Sequence, residues 1–443
     1  MDLLKRDILQ KARELNVRFI RLQFTDVLGT MKNVAITIEQ LERALEEGVL
    51  FDGSSIEGFT RIHESDMYLR PDPNTFTIFP WRPKAGGAVA RLICDVYTPK
   101  GEPFAGCPRY ILKKTIAEAQ QAGYEMFAGP EPEFFLFELD ENGKPSDVIQ
   151  DQGSYFDLSP LDQGEDARRE IVLILEEMGL KVESSHHEVA PGQHEVDLHF
   201  SDCLSAADNL ATFRFVAKAA SKMHDLHASF MPKPIFGENG SGLHIHQSLY
   251  HKGLNVFYDP DDELGLSQKA RFYIGGLLRH ASAITAIGNP TINSYKRLVP
   301  GYEAPVDITW SCYDRSTYVR VPAASGQSTR VELRGPDPAA NPYLILAVAL
   351  KAGLDGIKNQ IAPAQQMQES TYDLSSEERR VLGIESLPKS LREALDCLAA
   401  DPVIRSVLGE HAYQHYVKAK LIEWEVFRTQ VHQWEKEQYL GTL

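Results

Sequence analysis

Four short segments hold the residue types and spacings that could do chemistry. In Gly129-Pro-Glu131-Pro-Glu133-Phe-Phe-Leu-Phe137, two glutamates stand two residues apart ahead of an aromatic run. On an extended strand that spacing places both carboxylates on one face, about 6.6 Å apart. Left bare they repel by roughly 3 kcal/mol at an effective dielectric near 20, so the pair either stays in water or faces a bound cation. The second segment, Ser185-His-His-Glu188-Val-Ala-Pro-Gly-Gln-His-Glu195-Val-Asp-Leu-His199, adds two glutamates, with Pro191-Gly192 turning the chain between them. His194-Glu195 does not open an H-E-x-x-H motif, because Leu198 holds the fifth position, which disfavours zinc-protease chemistry. Glutamates with only scattered histidines suit Mg²⁺ or Mn²⁺ better than Zn²⁺.

The third segment runs Phe236-Gly-Glu-Asn239-Gly240-Ser-Gly242-Leu-His244-Ile-His246-Gln-Ser248. Its glycines let backbone approach a ligand, and His244 and His246 share a face at strand spacing. They read either as ligands or as hydrogen-bonded core. In the fourth, Thr329-Arg330-Val-Glu332-Leu-Arg334-Gly, two arginines and a glutamate share one strand face, with Arg315 and Arg320 upstream. That face is either solvated or built to hold an anion beside a metal, since guanidinium forks match carboxylate and phosphate oxygens. The chain has no Gly-x-x-x-x-Gly-Lys-Ser/Thr, Gly-x-Gly-x-x-Gly or Gly-x-Ser-x-Gly motif. A nucleotide phosphate must then be met by arginines and divalent ions. The residues alone reach a strand-built site with two hard cations and phosphoryl chemistry on an anionic substrate, whose identity they leave open.

Those strands need a large scaffold, and 443 residues supply one, enough for about three domains or for one large domain and a smaller companion. With 46 Lys+Arg against 62 Asp+Glu, the net charge of −16 argues against nucleic acid or an anionic membrane as the main partner. The five cysteines (Cys94, Cys107, Cys203, Cys312, Cys397) form no C-x-x-C pair and suit reduced thiols in a cytoplasm. The opening MDLLKRDILQ is too charged for a signal peptide, and the apolar run Leu344 to Leu350 is too short to span a bilayer. A cytoplasmic protein is expected.

Periodicity divides the chain near the turn-rich stretch Thr98 to Pro108, giving a unit of residues 1–100 and a larger one of 101–443. In the first, a helix with Leu4, Ile8, Ala12 and Leu15 on one face precedes strands Val17–Phe24 and Val34–Ile38. A helix follows Thr37, with Gln40 as capping partner, and stops at Gly48; Phe76–Pro83 and a strand Ala88–Val96 complete the unit. In the second, helices are expected over Tyr110–Ala122, Asp166–Met178, Ala206–Leu226 and Leu266–Ile287, alternating with strands. The helical last forty residues carry an apolar stripe of Val417, Leu421, Trp424, Val431 and Trp434. It packs either on the chain's own core or against a neighbouring subunit.

Together with Phe51-Asp-Gly-Ser-Ser-Ile-Glu-Gly, Lys296-Arg-Leu-Val-Pro-Gly-Tyr-Glu-Ala-Pro305 and Asn341-Pro-Tyr, the four segments resemble type I glutamine synthetase, the bacterial and archaeal family, essentially from end to end. The resemblance implies an α+β fold: a small N-terminal β-grasp domain, then a large C-terminal catalytic domain with a curved antiparallel sheet flanked by helices. It implies twelve subunits in two stacked hexameric rings, with active sites shared between subunits. It also implies the reaction of ATP, L-glutamate and ammonia to L-glutamine, ADP and phosphate through γ-glutamyl phosphate, with two Mg²⁺ or Mn²⁺ per site. One ion would be held by Glu133, Glu188 and Glu195, the other by Glu131, His244 and Glu332. Glutamate would meet Asn239, Gly240, Arg297, Glu303, Arg315 and Arg334. ATP would meet Glu183, His246, Ser248, Arg315, Arg320 and Arg330.

By the same resemblance Glu303 lies on a flap over the glutamate entrance, and Asp52, from the adjacent subunit, helps deprotonate ammonium; otherwise Asp52 reads as a turn cap. Arg61 matches the arginine tied to glutamine feedback inhibition in the α subtype. The chain is short between Leu136 and Tyr155, where the β subtype carries an insertion. Tyr372 is therefore not expected to be adenylylated. A γ-glutamyl-amine ligase, a glutamine-sensing partner of a transcription regulator and a metal-dependent hydrolase are the competing readings.

Overall fold

The structure is a computed structural model describing residues 3–56, 58, 66–82, 86–149, 151–368, 370–371 and 374–443; Arg61 and Tyr372 lie outside them. Helix α1 (Leu3–Glu14) buries Ile8 and Ala12, while Leu15 falls beyond its end, 51% exposed. Strand β1 (Val17–Thr25) turns through Asp26, whose carboxylate accepts the Leu28 and Thr30 N–H groups, into β2 (Met31–Thr37). This strand starts three residues before the expected Val34, because Met31, Lys32 and Asn33 pair with Thr25, Phe24 and Gln23. Thr37 caps no helix: a 3₁₀ turn, Ile38–Gln40, intervenes before α2 (Leu41–Glu47), and neither Thr37 nor Gln40 makes a side-chain cap hydrogen bond. Gly48 ends α2 at φ +84°, a conformation glycine adopts without strain.

Strands β3 (Val49–Asp52), β4 (Asp66–Pro71), β5 (Thr77–Ile78) and β6 (Ala88–Tyr97) complete the first sheet, ordered β2-β1-β6-β4-β3 with β5 on β6. Parallel pairing of β1 with β6 makes the centre, and its inward residues (Ile20, Leu22, Ala90, Leu92) are fully buried.

The second sheet is built around the long β7 (Glu125–Glu138), which follows α3 (Pro108–Gln121). After α4 (Glu165–Glu177) come β8 (Val182–His187), β9 (Gln193–Leu198) and β10 (Ser201–Asp202). Helix α5 (Cys203–Ser221), β11 (Leu226–Ser229), β12 (Leu243–His251) and β13 (Leu254–Asn255) follow. Then α6 (Gln268–Arg279), α7 (Ala281–Gly288) and α8 (Ser294–Arg297) lead to the short strands β14 (Trp310–Ser311), β15 (Val319–Arg320) and β16 (Val331–Leu333). The order is β14-β15-β16-β12-β7-β9-β8.

Two expected helices need correction. Cys203 already begins α5, because the Asp202 carboxylate caps it by accepting the Ser205 N–H, and Leu226 belongs to β11. The span 266–287 is two helices broken at His280, whose ring meets Asp401 at 2.6 Å and Asp355 at 3.2 Å.

Helix α9 (Pro342–Asn359) carries the apolar run Leu344–Leu350 wholly inside the main core. No described helix is long and apolar enough to cross a membrane. After α10 (Ser376–Val381) and α11 (Leu391–Ala400), α12 (Pro402–Arg428) packs Val417, Leu421 and Trp424 against that core. Val431, which precedes the His432 cap of α13 (Gln433–Tyr439), and Trp434 within that helix are 65% and 61% exposed. The terminal stripe therefore covers the chain's own core only as far as Trp424. Buried Arg109 of α3 ties the two sheets' layers together, meeting Asp72 at 2.7 Å, Asp95 at 3.1 Å and Asp208 of α5 at 2.8 Å. All five cysteines are free thiols.

Candidate active site

Sheet register gathers the singled-out side chains. His244 on β12 lies opposite Glu131 on β7, and Glu133 opposite Glu195 on β9. Glu332 on β16 pairs with His246 on one side and Arg320 of β15 on the other. With a period of two, these residues share one face of the sheet. They line a cavity of about 620 Å³ together with Glu188, Asn239, Gly240, Arg297, Glu303, Arg315, Arg330 and Arg334. A second cavity of about 280 Å³ shares Glu131, Asp197, His246 and Arg330 with the first and adds Glu183 and Ser248. Asp52 lines neither; exposed at the end of β3, it accepts the Ser54 N–H at 2.8 Å, the turn cap its local sequence suggests.

On one side of the large cavity, Glu133 accepts hydrogen bonds from Gln193 Nε2 (2.8 Å) and Gly242 N (2.9 Å). His186 Nδ1 lies 3.6 Å from Glu188, and its Nε2 3.7 Å from Glu195. Burial, then the neighbouring Glu188 charge, pushes the Glu133 carboxyl up to about 8. Burial and the Glu133 charge push Glu195 well above the usual range. Glu133 and Glu195, which resist ionising, form with the adjacent Glu188 a cage whose cost a divalent cation removes.

On the other side the charges are already matched. Arg320 Nη1 donates to Glu332 at 2.6 Å, and Arg334 pairs with the same carboxylate. Burial opposes ionisation of Glu332, but Arg334 together with His246 and His244 outweighs it and holds the group down at about 2. Arg330 Nε donates to His246 Nδ1 (3.1 Å), so in the neutral ring Nε2 carries the proton that reaches Glu131 at 2.5 Å. His244 stands between Glu131 (3.6 Å), Glu133 (3.9 Å) and Glu332 (4.0 Å). Burial, then Arg334, lowers its pKa to about 4, leaving the neutral imidazole that ligates metals. Carboxylate oxygens with a single neutral imidazole fit a hard divalent cation on both sides. Oxygen and nitrogen atoms of Glu131, Glu195 and His244, and of Glu131, His246 and Glu332, cluster within 4.8 Å.

Backbone shape explains several glycines. A Cβ on Gly240 would sit 2.3 Å from the Pro232 carbonyl oxygen and 3.2 Å from Arg297 Cγ, so only glycine lets that loop pass. Glu303 holds a left-handed φ of +57° on an exposed loop, a strained conformation for a residue with a Cβ. Exposed Arg315 reaches the Tyr155 hydroxyl at the cavity wall.

His186, Gln193 and Asp197 also line the cavity and were not singled out from the sequence. The period-two rule applied to Glu195 reaches Gln193 and Asp197 directly.

Residues 16–99 match the family description "Glutamine synthetase, beta-Grasp domain", and residues 105–439 match "Glutamine synthetase, catalytic domain". The chain is 55% identical to glutamine synthetase of Methanosarcina mazei over 439 residues, covering 99% of this chain and 98% of the relative. It is also 55% identical to that of Clostridium saccharobutylicum over 437 residues, with the same coverage. The glutamine synthetase of Staphylococcus aureus is 53% identical over 438 residues, 98% of each. Among solved structures, a GmaS/ADP complex superposes with a TM-score of 0.90 at 35% identity, covering 98% of this chain and 99% of that one. Apo GmaS without ligand gives 0.86 at 34% identity, covering 99% of each. Both described portions of the fold and the sequence along nearly its whole length agree: the chain belongs to the glutamine synthetase family.

Proposed function

We propose that this glutamate–ammonia ligase joins ammonia to L-glutamate through γ-glutamyl phosphate inside the larger cavity, with ATP entering from the smaller one. The observation that carries the reading is the shared wall. Glu131, His246 and Arg330 face both cavities, so an amino acid in one and a triphosphate in the other would meet there.

The glutamate γ-carboxylate is a poor electrophile and repels the polyphosphate it must attack. Neutralising both anions before they meet is therefore the main catalytic task. In our assignment Asn239, Gly240, Arg297 and Arg334 hold the amino acid. Glu183, His246, Ser248, Arg320 and Arg330 hold the nucleotide, and Arg315 touches both. Glu133, Glu188 and Glu195 would hold one divalent cation, and Glu131, His244 and Glu332 a second. When bound, these ions supply charge neutralisation at the carboxylate and phosphate oxygens.

Glu303 closes the amino-acid side, and its loop keeps water from the acyl phosphate. Ammonium must lose a proton before it attacks, and Asp52 is assigned to help take it. Since Asp52 does not line its own chain's cavity, the assignment requires a neighbouring copy, as in two stacked rings of six. Purified protein given glutamate, ATP, Mg²⁺ and ammonium should form glutamine; ATP consumption with no glutamine would overturn the reading. Replacing ammonium by alkylamines separates it from a γ-glutamyl-amine ligase. We assign the α subtype with feedback by glutamine: Arg61→Ala should keep catalysis and blunt inhibition, and an unchanged inhibition curve would refute it.

A further inference from the structure

Two buried polar features outside the cavity lining stand out. The set Asp151, Asp162, His187 and His194 gathers four ligand atoms within 4.8 Å. Its cation is already present, because Arg168 donates to His194 Nδ1 at 2.8 Å and pairs with Asp162 at 2.7 Å. The other is a single ammonium, Lys233, only 9% exposed, which forms no ion pair among the described residues.

Lys233 lies in the loop 232–241 that ends in Asn239 and Gly240. The loop's neck is closed by the Ser241 N–H donating to the Pro232 carbonyl at 2.8 Å. Asn293, just before α8, fixes both backbone groups of Lys233: its Nδ2 donates to the Lys233 carbonyl (2.9 Å), and its Oδ1 accepts the Lys233 N–H (2.7 Å). From that clamped backbone the side chain reaches two ways. Its Nζ donates to the Glu238 carbonyl across the loop, and it stands 3.6 Å from the ring centroid of Tyr302. Tyr302 immediately precedes the strained Glu303. One buried ammonium thus touches both loops that wall the amino-acid side of the cavity.

We propose that Lys233 is a positioning residue that latches the 301–304 loop against the Asn239–Gly240 loop while the acyl phosphate exists. The inference rests on the reading that this cavity makes γ-glutamyl phosphate. A buried ammonium over an aromatic face favours the closed loop on the order of three- to tenfold. Without it, water reaches the intermediate: it attacks the acyl carbon, the carbon–oxygen bond to phosphate breaks, and glutamate and phosphate leave with ATP spent and no glutamine made.

The measurement is the ratio of phosphate released to glutamine formed, with the glutamate KM, at matched melting temperature. Wild type should run close to one-to-one. Lys233→Met should raise the ratio several-fold and raise the glutamate KM, while Lys233→Arg, which keeps a cation over the ring, should restore both. Tyr302→Leu should reproduce the leak, Tyr302→Phe should not, and the Met/Leu double variant should leak no more than either single. A folded Lys233→Met enzyme with the wild-type ratio, or an arginine variant as leaky as the methionine one, would overturn the latch. Wild type that spends ATP without making glutamine would bring down the functional reading itself, and the latch with it.

Discussion

Glu133→Gln should move stability in opposite directions with and without divalent metal. The Glu133 carboxyl is buried, and the nearby Glu188 charge adds to burial in raising it from the usual 4.5 to about 8. An acid whose folded pKa is raised penalises the folded state once it must ionise. The penalty is absent below the unfolded pKa, grows between the two values, and is complete above the folded one. At about pH 7.5 it amounts to at most roughly 4 kcal/mol. Glutamine cannot ionise, and its amide oxygen still accepts from Gln193 Nε2 and Gly242 N, which meet Glu133 at 2.8 and 2.9 Å. Metal-free Glu133→Gln should therefore outlast metal-free wild type in urea near neutral pH, with the gap closing toward pH 5. Cation binding reverses the order once it exceeds that lead: above about a thousand times Kd a ligand adds more than about 4.1 kcal/mol to wild type, and the variant forfeits most of it with the lost charge. Urea titrations followed by tryptophan fluorescence, at one protein concentration, with EDTA or with Mn²⁺, read both effects. A metal-free variant weaker than wild type at every pH, or equal Mn²⁺ stabilisation of both, would refute the caged-carboxylate reasoning.

Arg109→Met should cost roughly 3–5 kcal/mol, since it takes the shared cation from Asp72 and Asp208 and leaves Asp95 only Lys113. A loss under about 1 kcal/mol in urea would show that water relieves those carboxylates, against the burial argument. Gly240→Ala forces a Cβ to within 2.3 Å of the Pro232 carbonyl oxygen. It should raise the glutamate KM on the order of tenfold, about 1.4 kcal/mol, and leave the ATP KM near wild type; equal rises for both substrates would contradict the division between the two cavities.

Alternation along single strands was readable from the sequence. Glu131 with Glu133, His244 with His246, and Arg330 with Glu332 and Arg334 all reach the cavity, as a two-residue period requires. Which strands are neighbours was not readable. β12 lies against β7 although more than a hundred residues separate His244 from Glu131, and no local pattern encodes that register. The break at His280 was hidden for a similar reason. No proline marks it, and the ring's partners Asp355 and Asp401 come from α9 and from the cap of α12, both distant in the chain. Thr37 and Gln40 show the converse error: suitable residue types at cap spacing formed no cap, because a 3₁₀ turn took those positions. The exposed Val431 and Trp434 belong to the same class, since periodicity marks an apolar face without saying what covers it.

The two sides of the cavity differ in how far their charge is already compensated, and that difference orders events. Around Glu133, Glu188 and Glu195 the close partners are an amide, backbone N–H groups, the shared His186 and the neutral His244, with the Arg297 charge acting on Glu133 from further off. Ionising those carboxyls leaves negative charge with little to compensate it, so the first cation, which lets them ionise, has most to compensate on that side. Glu332, in contrast, is held by Arg320 and Arg334, and Glu131 by His246. In the proposed assignment a cation taking Glu332 competes with those arginines for the same carboxylate oxygens. Each guanidinium displaced is left buried or half-buried, a costly state unless another anion meets it. Phosphate and carboxylate oxygens of the substrates are such anions, and the forks already point into the cavity. Cation binding on this side and anion binding by Arg320 and Arg334 are therefore one coupled exchange of partners: neither cation nor substrate gains the full interaction until the other has arrived.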